Sequence, residues 1–215
     1  MKQIAGVWIP DSDDHFHIYL NRESTWINGK GTYHYDRLLK ALQYTKGFDT
    51  AVDVGAHVGL WSMHLAERFN QVWAFEPNWD NYECLKKNVP SNVITETFAL
   101  GAIHGELKLN CIGDNSGKTH VSDAPMTNTV LSRPLDYYDL NIDFLKIDVE
   151  GYELLVLRGA VETLMRCKPT VVIEDGPPEL AARYGIDSRE ASKFLKSLGA
   201  TQQANIRHDY IFSWD

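Results

Sequence analysis

Thr50-Ala51-Val52-Asp53-Val54-Gly55-Ala56-His57-Val58-Gly59-Leu60-Trp61-Ser62-Met63-His64-Leu65-Ala66 is the stretch that decides the fold of this 215-residue chain. A short apolar strand, Ala51 to Val54, runs into a glycine turn from Gly55 to Gly59. Leu60, Met63, Leu65 and Ala66 then recur at helical spacing. Strand, glycine turn and helix form the entry unit of a doubly wound α/β fold. Ligands of such folds sit at the carboxyl end of the strand, against the start of the next helix.

The glycine pattern narrows the ligand. A dinucleotide fingerprint, G-x-G-x-x-G, needs its second glycine so that backbone can approach a pyrophosphate. His57 stands at that position, and its imidazole would crowd the phosphates. No Gly-Lys-Ser/Thr ending marks a phosphate-binding loop. Asp53, just before the turn, would repel phosphate but suits a cation or an amino group. S-adenosylmethionine, which carries a sulfonium, an ammonium and no phosphate, fits this turn best. An ordinary strand-to-helix turn without a ligand is the competing reading.

Composition sets the frame. A hydrophobic share of 44% and a charged share of 23% are those of an ordinary globular domain. One domain of this length is expected, with residues 1–48 as an extension or lid and 49–215 as the core. A net charge of -8 argues against general nucleic-acid binding. Cys84, Cys111 and Cys167 are too scattered for a zinc site or a disulfide framework, so reduced thiols in the cytoplasm are expected. No stretch has the length and apolarity of a membrane span.

In the front section, Asp11, Asp13 and Asp14 precede His15 and His17. The cluster reads as a solvated loop, with a metal site as the lesser alternative. A helix is expected from Tyr35 to Tyr44, with Leu38, Leu39 and Leu42 on one side. Aromatic density here suits a flap over a ligand.

Downstream, Gln71 to Phe75 is a second strand that ends at Glu76. An acid there, about twenty residues past the glycine turn, is where a ribose diol is gripped. The competing role for Glu76 is at the N-terminus of the helix from Trp79 to Asn88. Asn92 to Leu100 reads as a third strand, which would place Phe98 and Ala99 beside an adenine. An inserted hairpin is expected over about 105–122, with the polar turn Gly113 to Gly117 and His120 facing the site. A fourth strand runs from Asp143 to Val149. The two-residue strand period puts Asp148 and Glu150 on one face at its tip. One helix should follow Gly151 and run to Met165; Glu150 and Glu153 also suit its dipole. A fifth strand, Thr170 to Ile173, ends at Glu174. The runs Thr201 to Ile206 and Tyr210 to Trp214 are too close for a helical crossover and must pair as an antiparallel hairpin.

D-V-G-A-H-V-G-L-W-S, A-F-E-P-N and F-L-K-I-D-V-E-G-Y-E-L-L-V-L-R-G-A together resemble the FkbM-type S-adenosylmethionine-dependent methyltransferases, over about Phe48 to Asp175. The front section resembles that of phage-encoded members. The resemblance implies a Rossmann-like class I methyltransferase fold: a mostly parallel sheet, helices on both faces and a C-terminal antiparallel hairpin. It also implies O-methylation of a small molecule or a sugar. Asp53, Gly55, Ala56, His57, Val58 and Gly59 would cradle the methionine end of the donor. Glu76 would hold the ribose, and Asn78, Phe98 and Ala99 the adenine. Asp148 would stand where donor meets acceptor. The base candidates are Asp148 and Glu150, then His120 and Glu174. The acidic rim could also hold a divalent metal, although none is expected. A nucleotide-dependent oxidoreductase and a non-catalytic S-adenosylmethionine-binding module are the alternatives.

Overall fold

The computed structural model describes residues 1–22, 24–122 and 128–215. Its centre is a seven-stranded sheet made of β1 (Thr50–Val54), β2 (Gln71–Phe75), β3 (Val93–Glu96), β4 (Phe144–Ile147), β5 (Thr170–Glu174), β6 (Thr201–Ile206) and β7 (Asp209–Ser213). The spatial order is β6-β7-β5-β4-β1-β2-β3. The neighbours from β3 to β5 are parallel, whereas β7 runs antiparallel to both β5 and β6. The chain winds outward from β1 to β3 and then returns to lay β4 on the other side of β1. The carboxyl ends of β1 and β4 therefore form a topological switch point, where open α/β sheets bind ligands.

The central strands are apolar runs because both of their faces are covered. All four residues of β4 are buried, as are four of the five in β1. On one face Val54, Phe75, Ile147 and Ile173 pack against Leu154, Leu157 and Leu164. On the other, Ala51, Val72, Phe144 and Val172 pack against Leu38, Trp61 and Leu65. Each large side chain so buried contributes about 1.5–3 kcal/mol.

A third cluster joins the front section to the glycine turn. Val7, Ile9, Phe16 and Leu20 pack on Val58, Leu60, Met63 and Cys84. The expected solvated loop at Asp11 to His17 is largely the helix Asp14–Arg22, and Asp13 ahead of it is fully buried. The helix Tyr35–Leu42 forms where the spacing predicts, but Leu39 is exposed while Leu38 is buried. One turn of helix cannot bring both adjacent residues to the same face.

Two further expectations are corrected and a third, the hairpin, is extended. The third strand divides: Val93–Glu96 stays in the main sheet, and Ala99–Leu100 joins a separate four-stranded sheet. The inserted hairpin is part of that sheet, in which Gly105–Asn110 pairs with His120–Val121 on one side and with Asn128–Arg133 on the other. The long helix after Gly151 is two helices, Glu153–Arg158 and Val161–Cys167. The break falls at Gly159, where a Cβ would lie 2.0 Å from the Gly101 carbonyl oxygen. Two backbones meet closely at this break, and only glycine, itself a poor helix former, fits there. Among the described residues no helix is long and apolar enough to cross a membrane.

Gly159→Ala should therefore destabilise the protein by about 3 kcal/mol or more, because the obstructing atom is backbone. The shift in the urea midpoint measures it.

Candidate active site

The turn after β1 is built on left-handed backbone at Gly55 (φ 75°), His57 (φ 53°) and Gly59 (φ 90°). The Gly55 and Ala56 N–H groups both donate to the Phe75 carbonyl at 3.0 Å, which ties the turn to the tip of β2. A Cβ on Gly55 would lie 1.9 Å from the Asp148 carbonyl oxygen, so the turn also sits tightly against the tip of β4. Glu76 follows β2 directly. Its Oε2 accepts the His57 N–H and its Oε1 the Asn78 N–H, each at 2.8 Å. Burial pushes its carboxyl up to about 7.

Lys146 occupies the middle of the site. It stands in register beside Asp53 in the β4–β1 pair. Its Nζ lies 3.4 Å from Asp53 Oδ1, 3.4 Å from Asp148 Oδ2 and 3.3 Å from the Gly55 carbonyl oxygen. Asp53 Oδ2 accepts the Ser62 hydroxyl at 2.6 Å. Burial works against the ammonium, but Asp148 and Asp53 outweigh it and raise the lysine. Burial would also raise Asp148, yet Lys146 prevails and holds it below the usual carboxylate range.

Beyond Asp148 lies a cluster of carboxylates. Oxygens of Asp148, Glu150 and Glu174 lie within 4.8 Å of one another, a spacing that a divalent cation could bridge. Burial, then the charge of Asp148, pushes Glu150 up to about 7. Asp148, then burial, pushes Glu174 well above the usual range. Strand alternation is not what gathers them. β4 ends at Ile147, and Glu150 sits in the left-handed region at φ 58°. Glu153 caps this loop, accepting the Val149 and Gly151 N–H groups at 3.0 and 3.2 Å, so its role is structural.

These groups line a cavity of about 320 Å³, in the size range of small-molecule sites. Gly55, Ala56, His57, Glu76, Phe98 and Ala99 form part of its wall, as do Asp148, Glu150, Glu174 and His120. Asp53, Val58, Gly59 and Asn78 do not line it. Asp53 and Val58 are fully buried, and Gly59 closes the turn. Asn78 caps its helix through Oδ1, which accepts the Asp80 N–H at 3.0 Å. His120 Nδ1 lies 2.8 Å from the Lys118 carbonyl and so donates to it, leaving Nε2 as an acceptor.

Sequence reading missed Lys146, and it read the front section as a flap without assigning which of its residues face the site. Phe16 and Tyr33 line the cavity, and Ser116 closes it from the insertion. A lysine inside the apolar run F-L-K-I was the available signal, since a buried ammonium needs a carboxylate partner.

Residues 53–199 match the model of the methyltransferase FkbM domain. The chain belongs to that family. Family membership replaces the oxidoreductase alternative. A curated relative, the hexuronic acid methyltransferase AglP of Haloferax volcanii, is 27% identical over 181 residues, covering 76% of this chain and 69% of that protein. The crystal structure of an FkbM methyltransferase from Methylobacillus flagellatus KT superposes with a TM-score of 0.52 at 21% identity. That match covers 78% of this chain but only 44% of the other. The precorrin 8w decarboxylase of Methanobacterium thermoautotrophicum gives 0.51 at 18% identity, covering 97% and 100%. At these identities the structural likeness concerns the fold, which is that of class I methyltransferases.

Two measurements probe the electrostatics of this FkbM-family site. Lys146→Met would strand fully buried Asp53 without its countercharge and should cost about 3–5 kcal/mol in denaturant titration. Glu76, Glu150 and Glu153 bind their protons more tightly folded than unfolded, with values near 7, 7 and 8. Their stabilisation is complete below the ordinary value of 4.5 and is lost as pH rises through 7 to 8. Buried His34, His57 and His64, held below the ordinary histidine value of 6.5, act in the opposite sense at lower pH, so the melting temperature of the protein without ligand should fall from about pH 7 to about pH 8. Glu150→Gln should flatten that slope.

Proposed function

We propose that this protein transfers a methyl group from S-adenosylmethionine to a hydroxyl of a carbohydrate or related small molecule. The observation that carries the reading is the joining of two acidic features at one switch point. Glu76, pinned by two backbone N–H groups, faces the same cavity as the Asp148, Glu150 and Glu174 cluster. A polar pocket lined by carboxylates, whose central ammonium is already matched by Asp53 and Asp148, suits a cationic ligand without phosphate. The family match supports methyl transfer, and the relative that acts on a hexuronic acid supports a sugar acceptor.

In this reading Glu76 accepts the two ribose hydroxyls, and Phe98 and Ala99 flank the adenine. Gly55, Ala56 and His57 hold the amino-acid end. Asp53 acts from outside the cavity by fixing Lys146. S-adenosylmethionine supplies a methyl already activated on a sulfonium. What the chain must do is align the acceptor oxygen with that carbon, exclude water and take up the hydroxyl proton. Asp148, kept ionised by Lys146, orients the acceptor. Glu150, with a value near neutrality, is matched to the proton-accepting step. His120 offers Nε2 at the rim. Residues 1–48 act as a lid, with Phe16 and Tyr33 as its inner surface. A binding module without turnover would keep the donor site, so product formation separates the two readings.

The test is calorimetric titration with S-adenosylmethionine and S-adenosylhomocysteine. Micromolar binding is expected, weakened by ~1.5–3 kcal/mol in Glu76→Ala. Methyl transfer to a panel of glycosides should then be lost in Glu150→Gln while donor binding persists. A folded protein that binds neither ligand would overturn the reading.

A further inference from the structure

His57 is anchored by two segments remote from it in sequence. Its Nε2 lies 2.6 Å from Ser116 Oγ, at the tip of the insertion. The same hydroxyl bonds Asp13 Oδ2, and the Ser116 N–H donates to that oxygen at 2.9 Å. Asp13 Oδ1 accepts the Phe16 N–H at 2.7 Å. Asp13 is fully buried and Ser116 is 5% exposed. Nearby, the Asp14 and His15 N–H groups donate to the Asp114 carbonyl at 3.1 and 3.2 Å, and the Phe16 and His57 rings are 4.5 Å apart. Front section and insertion thus meet on the glycine turn.

The direction of these bonds follows from the donor and acceptor inventory. Both oxygens of Asp13 already accept backbone N–H groups, so toward Ser116 the carboxylate is again the acceptor. A hydroxyl has one proton, and Ser116 gives it to Asp13. Ser116 Oγ must then accept from His57, so Nε2 carries the ring proton and Nδ1 keeps its lone pair. Burial holds the imidazole well below its ordinary value, at about 4, which keeps the ring neutral. A neutral ring with one fixed acceptor stands in the cavity wall beside Gly55 and Ala56.

We infer that Asp13 and Ser116 are positioning residues of the donor site, acting through His57 to fix the tautomer that offers Nδ1 to the ammonium of the donor's amino-acid end. The inference rests on the S-adenosylmethionine reading above. It gives the front section a role in donor binding as well as in covering the cavity. It also accounts for a histidine where dinucleotide-binding turns need glycine: the side chain is held by the lid and serves a ligand without phosphate.

Two ligands isolate the effect. S-adenosylhomocysteine carries the amino-acid end, whereas 5′-methylthioadenosine keeps the adenosine and sulfur but lacks it. In calorimetric titration, Ser116→Ala and Asp13→Asn should weaken S-adenosylhomocysteine by about fivefold or more, the worth of one hydrogen bond. Methylthioadenosine should stay within about twofold. Ser116→Thr, which keeps the hydroxyl, should restore binding. Melting curves check that each variant is folded, and Ser116→Ala carries the test if Asp13→Asn, which also loses a helix-capping carboxylate, is not. Equal weakening of both ligands would mean a general loosening of the pocket and would overturn the inference, as would unchanged S-adenosylhomocysteine binding. Failure of the wild-type protein to bind either ligand is a different result, which removes the donor reading itself.

Discussion

One buried ammonium governs the geometry of the switch point. Lys146 Nζ has three protons and, within 3.4 Å, three oxygen partners: Asp53 in β1, Asp148 past the tip of β4 and the Gly55 carbonyl in the turn. Such an arrangement is not evidence of high stability, because desolvating the charges opposes their attraction. Its consequence is specificity of place. The turn that would cradle the donor and the carboxylate that would meet the acceptor are fixed to the same atom. Asp53, read from the sequence as a ligand contact, is instead the buried end of this linkage, and its second oxygen is held by Ser62.

A second constraint comes from crowding of carboxylates. Asp148, Glu150 and Glu174 converge at the carboxyl ends of β4 and β5. Lys146 lies against Asp148 and draws it down, while burial and the charge of Asp148 push Glu150 and Glu174 up. Neighbouring carboxyls of similar intrinsic acidity are thereby driven apart, the division of labour that acid–base chemistry requires. The same repulsion disfavours the site without a ligand and favours a cationic one.

Part of the cavity wall comes from outside the sheet. The front section and the four-stranded sheet are separated by about half the sequence, yet they meet at Asp13 and Ser116 over the glycine turn. The cluster of Val7, Ile9, Phe16 and Leu20 against Val58, Leu60 and Met63 supplies the apolar area that holds them there. Of the aromatics in the first fifty residues, Trp8, Phe16, Tyr19 and Tyr33 take part in this contact, and Phe16 and Tyr33 line the cavity.

The sheet and its strand tips were legible in the sequence because local pattern determines them: apolar runs make buried strands, glycines permit left-handed turns, and a short gap between two strands forces a hairpin. Glu76, Asp148 and Glu174 were found for the same reason, since each is the acid at a strand's end. What failed were inferences that depended on neighbours. The register of β4 on β1 put Lys146 beside Asp53. The backbone of Gly101 approaches Gly159 at the break in a helix that periodicity would continue. Left-handed backbone at Glu150, not strand alternation, turned that side chain into the cavity. A local pattern records which face of an element is apolar, and that alone determined the Rossmann-like architecture and the acidic rim. Which charge meets which, and whether an acid such as Asp13 is solvated or buried as an anchor, depends on contacts between distant segments, and only the tertiary structure decided it.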